Sequence, residues 1–131
     1  MKWMTIFSAL LFVSSSASAC PQSVVESCKL REIARKKLDL ASANIANMNT
    51  TRTPKGGPYR RQWLKCAGDV CRVLTETKPP AMKYEPDHVD ANDDGYVPYP
   101  NMSLMAEMAD MLNATRDYEF AEKLCVAQLK K

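Results

Sequence analysis

The sequence predicts an α+β fold, mainly α: an antiparallel pair of long terminal helices with a small β-hairpin region between them. Three observations carry this. Apolar residues recur at steps of three and four near both ends of the chain, the repeat of one helix face. The middle is rich in Tyr, Trp, Val and Thr and is punctuated by Gly and Pro, the chemistry of short strands and turns. The chain has 131 residues, enough for one small domain.

The first segment stands apart from that domain. Lys2 supplies a positive start, and Trp3 to Val13 form an apolar run too short to span a bilayer. Ala17-Ser18-Ala19 then gives a small-residue cleavage pattern, so residues 1–19 read as a secretory signal. Cleavage leaves Cys20 first, which makes it a lipidation candidate and a membrane tether. The competing reading is plain cleavage with an unpaired thiol. The chain has five Cys. Setting Cys20 aside leaves Cys28, Cys66, Cys71 and Cys125, an even set suited to an oxidising compartment.

Residues 20–131 form the single domain. Its first helix is expected over 23–48, with Ser23-Val24-Val25-Glu26 as a capping box. Leu30, Ala34, Leu38, Ala41, Ile45 and Met48 form a narrow seam of coiled-coil type. Thr53-Pro54 lies beyond its end, where proline disfavours helix in the preceding residue. Residues 59–85 form the β-region. Strands over 59–66 and 71–76 are joined through Ala67-Gly68-Asp69-Val70, and an edge-like strand follows at 81–85. Residues 86–100 read as extended loop. The second helix is expected over 102–129, with Asn101 as N-cap. Its seam is Leu104, Met108, Met111, Thr115, Tyr118, Glu122, Cys125 and Leu129, weakest at Thr115 and Glu122.

The two seams predict their own pairing. In antiparallel helices of equal rise, facing residue numbers add to a constant. Met48 with Leu104, Ile45 with Met108, Ala41 with Met111, Leu38 with Thr115 and Ala34 with Tyr118 all add to 152 or 153. The same offset sets Cys28 against Cys125. A Cys28–Cys125 disulfide is therefore expected at the outer ends of the pair, with Cys66–Cys71 closing the hairpin. Met102, Met105, Met111 and Phe120 are candidates for outer contacts, since methionine adapts to irregular surroundings.

Chemistry is scarce. The formal net charge is +3, and +2 without Lys2, with no Lys/Arg block, which leaves nucleic acid out as a partner. Asp90 to Gly95 begin like a calcium loop, but the twelfth position is Asn101 rather than a bidentate Glu, so an Asx-rich turn is expected. His88 is the single histidine, without a nucleophile set around it. No enzyme activity, metal or cofactor is expected.

One segment carries a resemblance. Ala43-Asn44-Ile45-Ala46-Asn47-Met48-Asn49-Thr50-Thr51 is similar to the motif that ends the N-terminal helix of flagellar axial proteins. Gly56-Gly57-Pro58-Tyr59-Arg60-Arg61-Gln62, Lys83-Tyr84-Glu85-Pro86-Asp87-His88 and Tyr99-Pro100-Asn101 resemble the proximal rod subunits of that family. The resemblance implies a structural subunit of the flagellar basal-body rod in the periplasm, assembling with itself and other rod subunits through its terminal helices. The alternative is a periplasmic or lipid-anchored binding module on the same scaffold. The Asn44, Asn47 and Asn49 carboxamides are expected to satisfy free carbonyls and the turn at the helix end. Ala43 and Ala46 let another backbone approach closely.

Overall fold

The computed structural model describes residues 22–130. The signal segment, Cys20 and Lys131 lie outside the described residues. Helix α1 spans Gln22–Ala46 and helix α2 spans Leu104–Leu129. Between them come strands β1 (Gln62–Ala67), β2 (Val70–Thr75), β3 (Ala81–Tyr84) and β4 (Tyr96–Tyr99). The strands form two separate antiparallel hairpins, β1–β2 and β3–β4. No described helix is long and apolar enough to cross a membrane.

The helices pack antiparallel along most of their length. Ser27 Oγ meets the Gln128 carboxamide at 3.0 Å, Cys28 is bonded to Cys125, and Asn44 Nδ2 donates to Glu107 Oε2 at 2.8 Å. Their residue numbers add to between 151 and 155, which brackets the offset read from the sequence.

The faces that meet are rotated from the expected seam. Ala34, Ala41, Ala114 and Ala121 are buried to within 4% exposure, whereas Leu30, Leu104, Met108 and Leu129 are exposed. In α2 the interior ladder is Glu107, Met111, Ala114, Tyr118, Ala121 and Cys125. Met111, Tyr118 and Cys125 belong to both ladders, while Ala114 and Ala121 take the places expected of Thr115 and Glu122. Leu38, Ile45 and Met48 are half-buried. The reason is steric. Small side chains let two helix axes come close, and interaxial distance follows the side chains at the contact.

The termini of the helices also differ. Ser23 lies inside α1, and its carbonyl accepts a hydrogen bond from Ser27 Oγ at 3.0 Å, so it is not a capping residue. The N-cap of α2 is Ser103, without a side-chain capping bond. Asn101 instead donates from Nδ2 to the Pro79 carbonyl at 3.0 Å.

The first hairpin turns at Gly68-Asp69, with Ala67 opposite Val70 and Cys66 opposite Cys71. Gly68 takes φ +57°, which suits the first position of a tight hairpin turn. Asp69 at the tip pairs with Lys29 at 2.6 Å, so the hairpin lies back along α1.

The second hairpin corrects the expected 86–100 loop. Residues Tyr96–Tyr99 form β4 and pair with β3, with Lys83 opposite Val97, which is fully buried. Pro98 concealed this strand. Proline cannot donate to a ladder and is confined to edges, and β4 has a partner on one side only. The connecting loop is an Asx turn: Asn92 Oδ1 accepts from the Asp94 and Tyr96 amides at 3.1 and 2.8 Å. Among the described residues no group of His, Cys, Asp and Glu could hold a metal ion.

Candidate functional site

The most connected polar site lies where α1, α2 and the start of β1 converge. Asn44 is 1% exposed and lies in the last turn of α1. Its carboxamide uses every hydrogen-bonding position it has. Nδ2 donates to the Gln62 carbonyl at 2.7 Å and to Glu107 Oε2 at 2.8 Å. Oδ1 accepts from the Gln62 amide at 2.9 Å and from Tyr59 Oη at 3.0 Å. Asn44 therefore completes the backbone pairing of Gln62 as a neighbouring strand would, and ties that residue to α2.

Glu107 is equally buried. It accepts a charge-assisted hydrogen bond from Arg61 Nε, while a terminal nitrogen of Arg61 bonds Asp110 Oδ2 at 2.8 Å. The Arg61 guanidinium also lies 5.5 Å from the Trp63 ring centroid. Burial works against the Arg61 charge, but Glu107, Asp110 and Glu76 outweigh it and raise its pKa. Burial, and then the Glu107 charge, raise the Tyr59 pKa above its usual 10.0. Among the described residues no buried side-chain polar atom lacks a partner. The polar groups of the site are spent on one another, so it holds α1, α2 and β1 together.

Asn47 serves the helix end itself. Its Nδ2 donates to the Ala43 carbonyl at 2.9 Å, and Thr50 Oγ1 donates to its Oδ1 at 3.2 Å. Beyond it, Thr51 Oγ1 donates to Asp90 Oδ2 at 2.7 Å and Arg52 pairs with the same carboxylate. The turn after α1 is thus bound to the loop of the second hairpin.

The α1 side of this joint lies in a known family segment. Residues 34–52 match the model of the flagella basal body rod protein family. The flagellar basal-body rod protein FlgC of Borreliella burgdorferi is 38% identical, over 65% of this chain and 74% of the relative. This chain belongs to the FlgC family of flagellar rod proteins. The FlgC of Bacillus subtilis is 31% identical over 65% of this chain and 75% of the relative, and that of Salmonella typhimurium 30% over 64% and 71%. FlgC-family chains are structural rod proteins, not enzymes. The binding-module alternative is therefore not favoured.

Within this FlgC-family chain, the motif residues part company. Asn44 does not cap the helix end, because its carboxamide is spent on Gln62, Tyr59 and Glu107. Asn49 is exposed, and Asn47 alone of the three serves the carbonyls of its own last turn. Ala43 and Ile45 are half-buried and Ala46 is exposed. Met105 and Phe120 are exposed, whereas Met102 and Met111 are half-buried. Cys28 and Cys125 are joined with Cα atoms 4.8 Å apart, and Cys66 and Cys71 with Cα atoms 4.0 Å apart. Sequence reading missed Tyr59, Arg61 and Glu107 as one unit. The available signal was Glu107 itself, a charged residue in step with Ala114 and Ala121.

Proposed function

We propose that this chain is a structural subunit of the flagellar rod that reaches the periplasm through its own N-terminal signal and is locked there as a helix pair. The observation that supports the rod role is that Asn44, the centre of the joint, lies inside the 34–52 family segment. A rod needs many contacts repeated by symmetry, and a head-to-tail interface that does not close generates a filament. A helix pair fixed at both ends is a unit that such symmetry can repeat.

The periplasmic reading is supported by cysteine usage. Disulfides persist in oxidising compartments, and the four cysteines other than Cys20 stand in two pairs. Cys20, outside the described residues, is the candidate to accept a lipid. The Cys28–Cys125 bond spans 97 residues of sequence and fixes the two helices before any neighbour is present.

The test is localisation. Mature protein should be recovered on isolated basal bodies, with an N-terminus at residue 20. A deletion strain with intact rods and normal swimming would exclude the rod role. A mature mass without diacylglycerol on Cys20 would reject the lipid while leaving the rod role standing.

A further inference from the structure

The two disulfides differ in how far a reagent can reach them. Cys125 is 1% exposed, and Cys28 is half-buried where α1 and α2 pack. Cys66 is exposed and Cys71 half-buried. These two stand directly opposite each other across the β1–β2 ladder, next to the Ala67–Val70 pair that flanks the turn. Disulfide exchange needs a thiolate to reach one of the two sulfurs, so access decides which bond reacts.

The tip of this hairpin has little else to hold it. A two-stranded hairpin is marginal by itself in water. Its root is firm, because Asn44 bonds both backbone groups of Gln62 and the Glu76 amide donates to the Arg61 carbonyl at 2.8 Å. Towards the tip an open groove of about 390 Å³ lies between the hairpin and α1, lined by Leu30, Ile33 and Lys37 of the helix and by Leu64 and Cys66 of β1. The Lys29–Asp69 ion pair crosses this gap with side chains 39% and 80% exposed. Exposed pairs of this kind contribute little. The Cys66–Cys71 bond is therefore the main clamp on the tip, and the groove leaves Cys66 open to approach.

We propose that Cys66–Cys71 is an exchange site for a dithiol reductant, and that its reduction releases the hairpin tip from α1 while Cys28–Cys125 and the helix pair stay closed. A thiolate of the reductant attacks Cys66 Sγ, the more accessible sulfur. The bond to Cys71 breaks as the mixed disulfide forms, and its electron pair leaves on Cys71 Sγ, which takes up a proton. The second thiolate of the reductant then attacks its own sulfur in the mixed disulfide. Cys66 Sγ leaves with that electron pair and is protonated in turn. Two electrons and two protons pass from the dithiol to the hairpin, and the reductant departs as a disulfide. The freed tip uncovers Leu30, Ile33 and Leu64 along the groove. This inference goes beyond the rod reading and does not depend on it.

The test uses the mature chain with Cys20 alkylated beforehand and dithiothreitol as the probe. Samples are quenched with a second alkylating reagent at intervals and mapped by mass spectrometry. Cys66 and Cys71 should be labelled roughly tenfold faster than Cys28 and Cys125, with the helical circular dichroism retained. Amide exchange should then rise over residues 64–73 and stay as it was in the paired faces of α1 and α2. Cys66→Ser/Cys71→Ser should show that same exchange pattern without reductant. Thioredoxin whose second active-site cysteine is replaced by serine should be trapped on Cys66. Equal labelling of the two disulfides overturns the proposal, as does trapping on Cys71. So does loss of helical signal when Cys66–Cys71 opens, by reductant or by substitution, and so does a tip whose amide exchange stays unchanged. Equal labelling would leave the rod role standing, whereas intact rods in a deletion strain would remove the rod role and leave the exchange site.

Discussion

Truncation of Asn44 is the sharpest test of how the helix pair is held to the β-region. Asn44→Ala deletes four hydrogen bonds. The Tyr59 hydroxyl is part-buried and can turn to water, and the buried Glu107 carboxylate keeps its Arg61 counter-charge, so these two relax at modest cost. The Gln62 amide and carbonyl have no such recourse, because both bond the one carboxamide. Each backbone group left unpaired costs about 1–3 kcal/mol. Two such groups, with partial relief by entering water, give about 3 kcal/mol. Small domains have about 5–15 kcal/mol in total, so the loss is a large share.

Urea unfolding followed by circular dichroism reads it directly. With a slope of about 1–1.5 kcal/mol/M, the midpoint should fall by roughly 2–3 M. Asn44→Asp should be worse at neutral pH, since it removes both donors and sets a carboxylate beside Glu107. Asn49→Ala, at an exposed position of the same motif, should stay within about 0.5 kcal/mol. A loss below about 1 kcal/mol for Asn44→Ala, or an Asn44→Asp protein as stable as wild type, would refute the reasoning.

Other outcomes follow from the same structure. Cys28→Ser/Cys125→Ser should cost about 4–5 kcal/mol and Cys66→Ser/Cys71→Ser about 2 kcal/mol, because the loops closed differ so much in length; equal losses in urea titrations would contradict this. The folded-state pKa of Tyr59 lies above 10.0, so its contribution is fully present below pH 10 and is lost as pH rises through the folded value. Alkaline titration of stability should show that decline, and Tyr59→Phe should flatten it. Gly95→Ala should loosen the second hairpin by about 1–3 kcal/mol, since Gly95 has φ +81° and an added Cβ would lie 2.9 Å from the Tyr84 ring. Amide exchange should then rise in β3 and β4, while Gly68→Ala, with nothing within 4 Å of its Cβ, should cost less.

The helices, their direction and their offset were legible from the chain, because periodicity reports helices well and the cysteines fixed the offset. The inward face was not. Counting Leu and Met as the seam weights hydrophobic area, but close helix approach selects Ala34, Ala41, Ala114 and Ala121. The large residues are left at the flanks. Strand β4 was hidden because Pro98 reads as a strand breaker until its edge position is known. Glu107 was illegible for a different reason. A carboxylate is placed inside only when its partners are in hand, and Arg61 and Asn44 come from elements far away in the sequence.

An alanine ladder brings helices close but does not say where along each other they should stop. Slipping one helix by seven residues, two turns, sets Ala34 or Ala41, and Ala114 or Ala121, into each other's places at little cost. Register must come from directional contacts, and this molecule has one at each end. The Asn44–Glu107 bond holds the end near the β-region, where a slip would strand a buried carboxylate and a carboxamide. The Cys28–Cys125 bond holds the far end, where Ser27 and Gln128 add little apolar grip. A slip that satisfied one end would break the other. The apolar core between them can therefore stay thin, with Met105, Met108 and Leu112 left exposed.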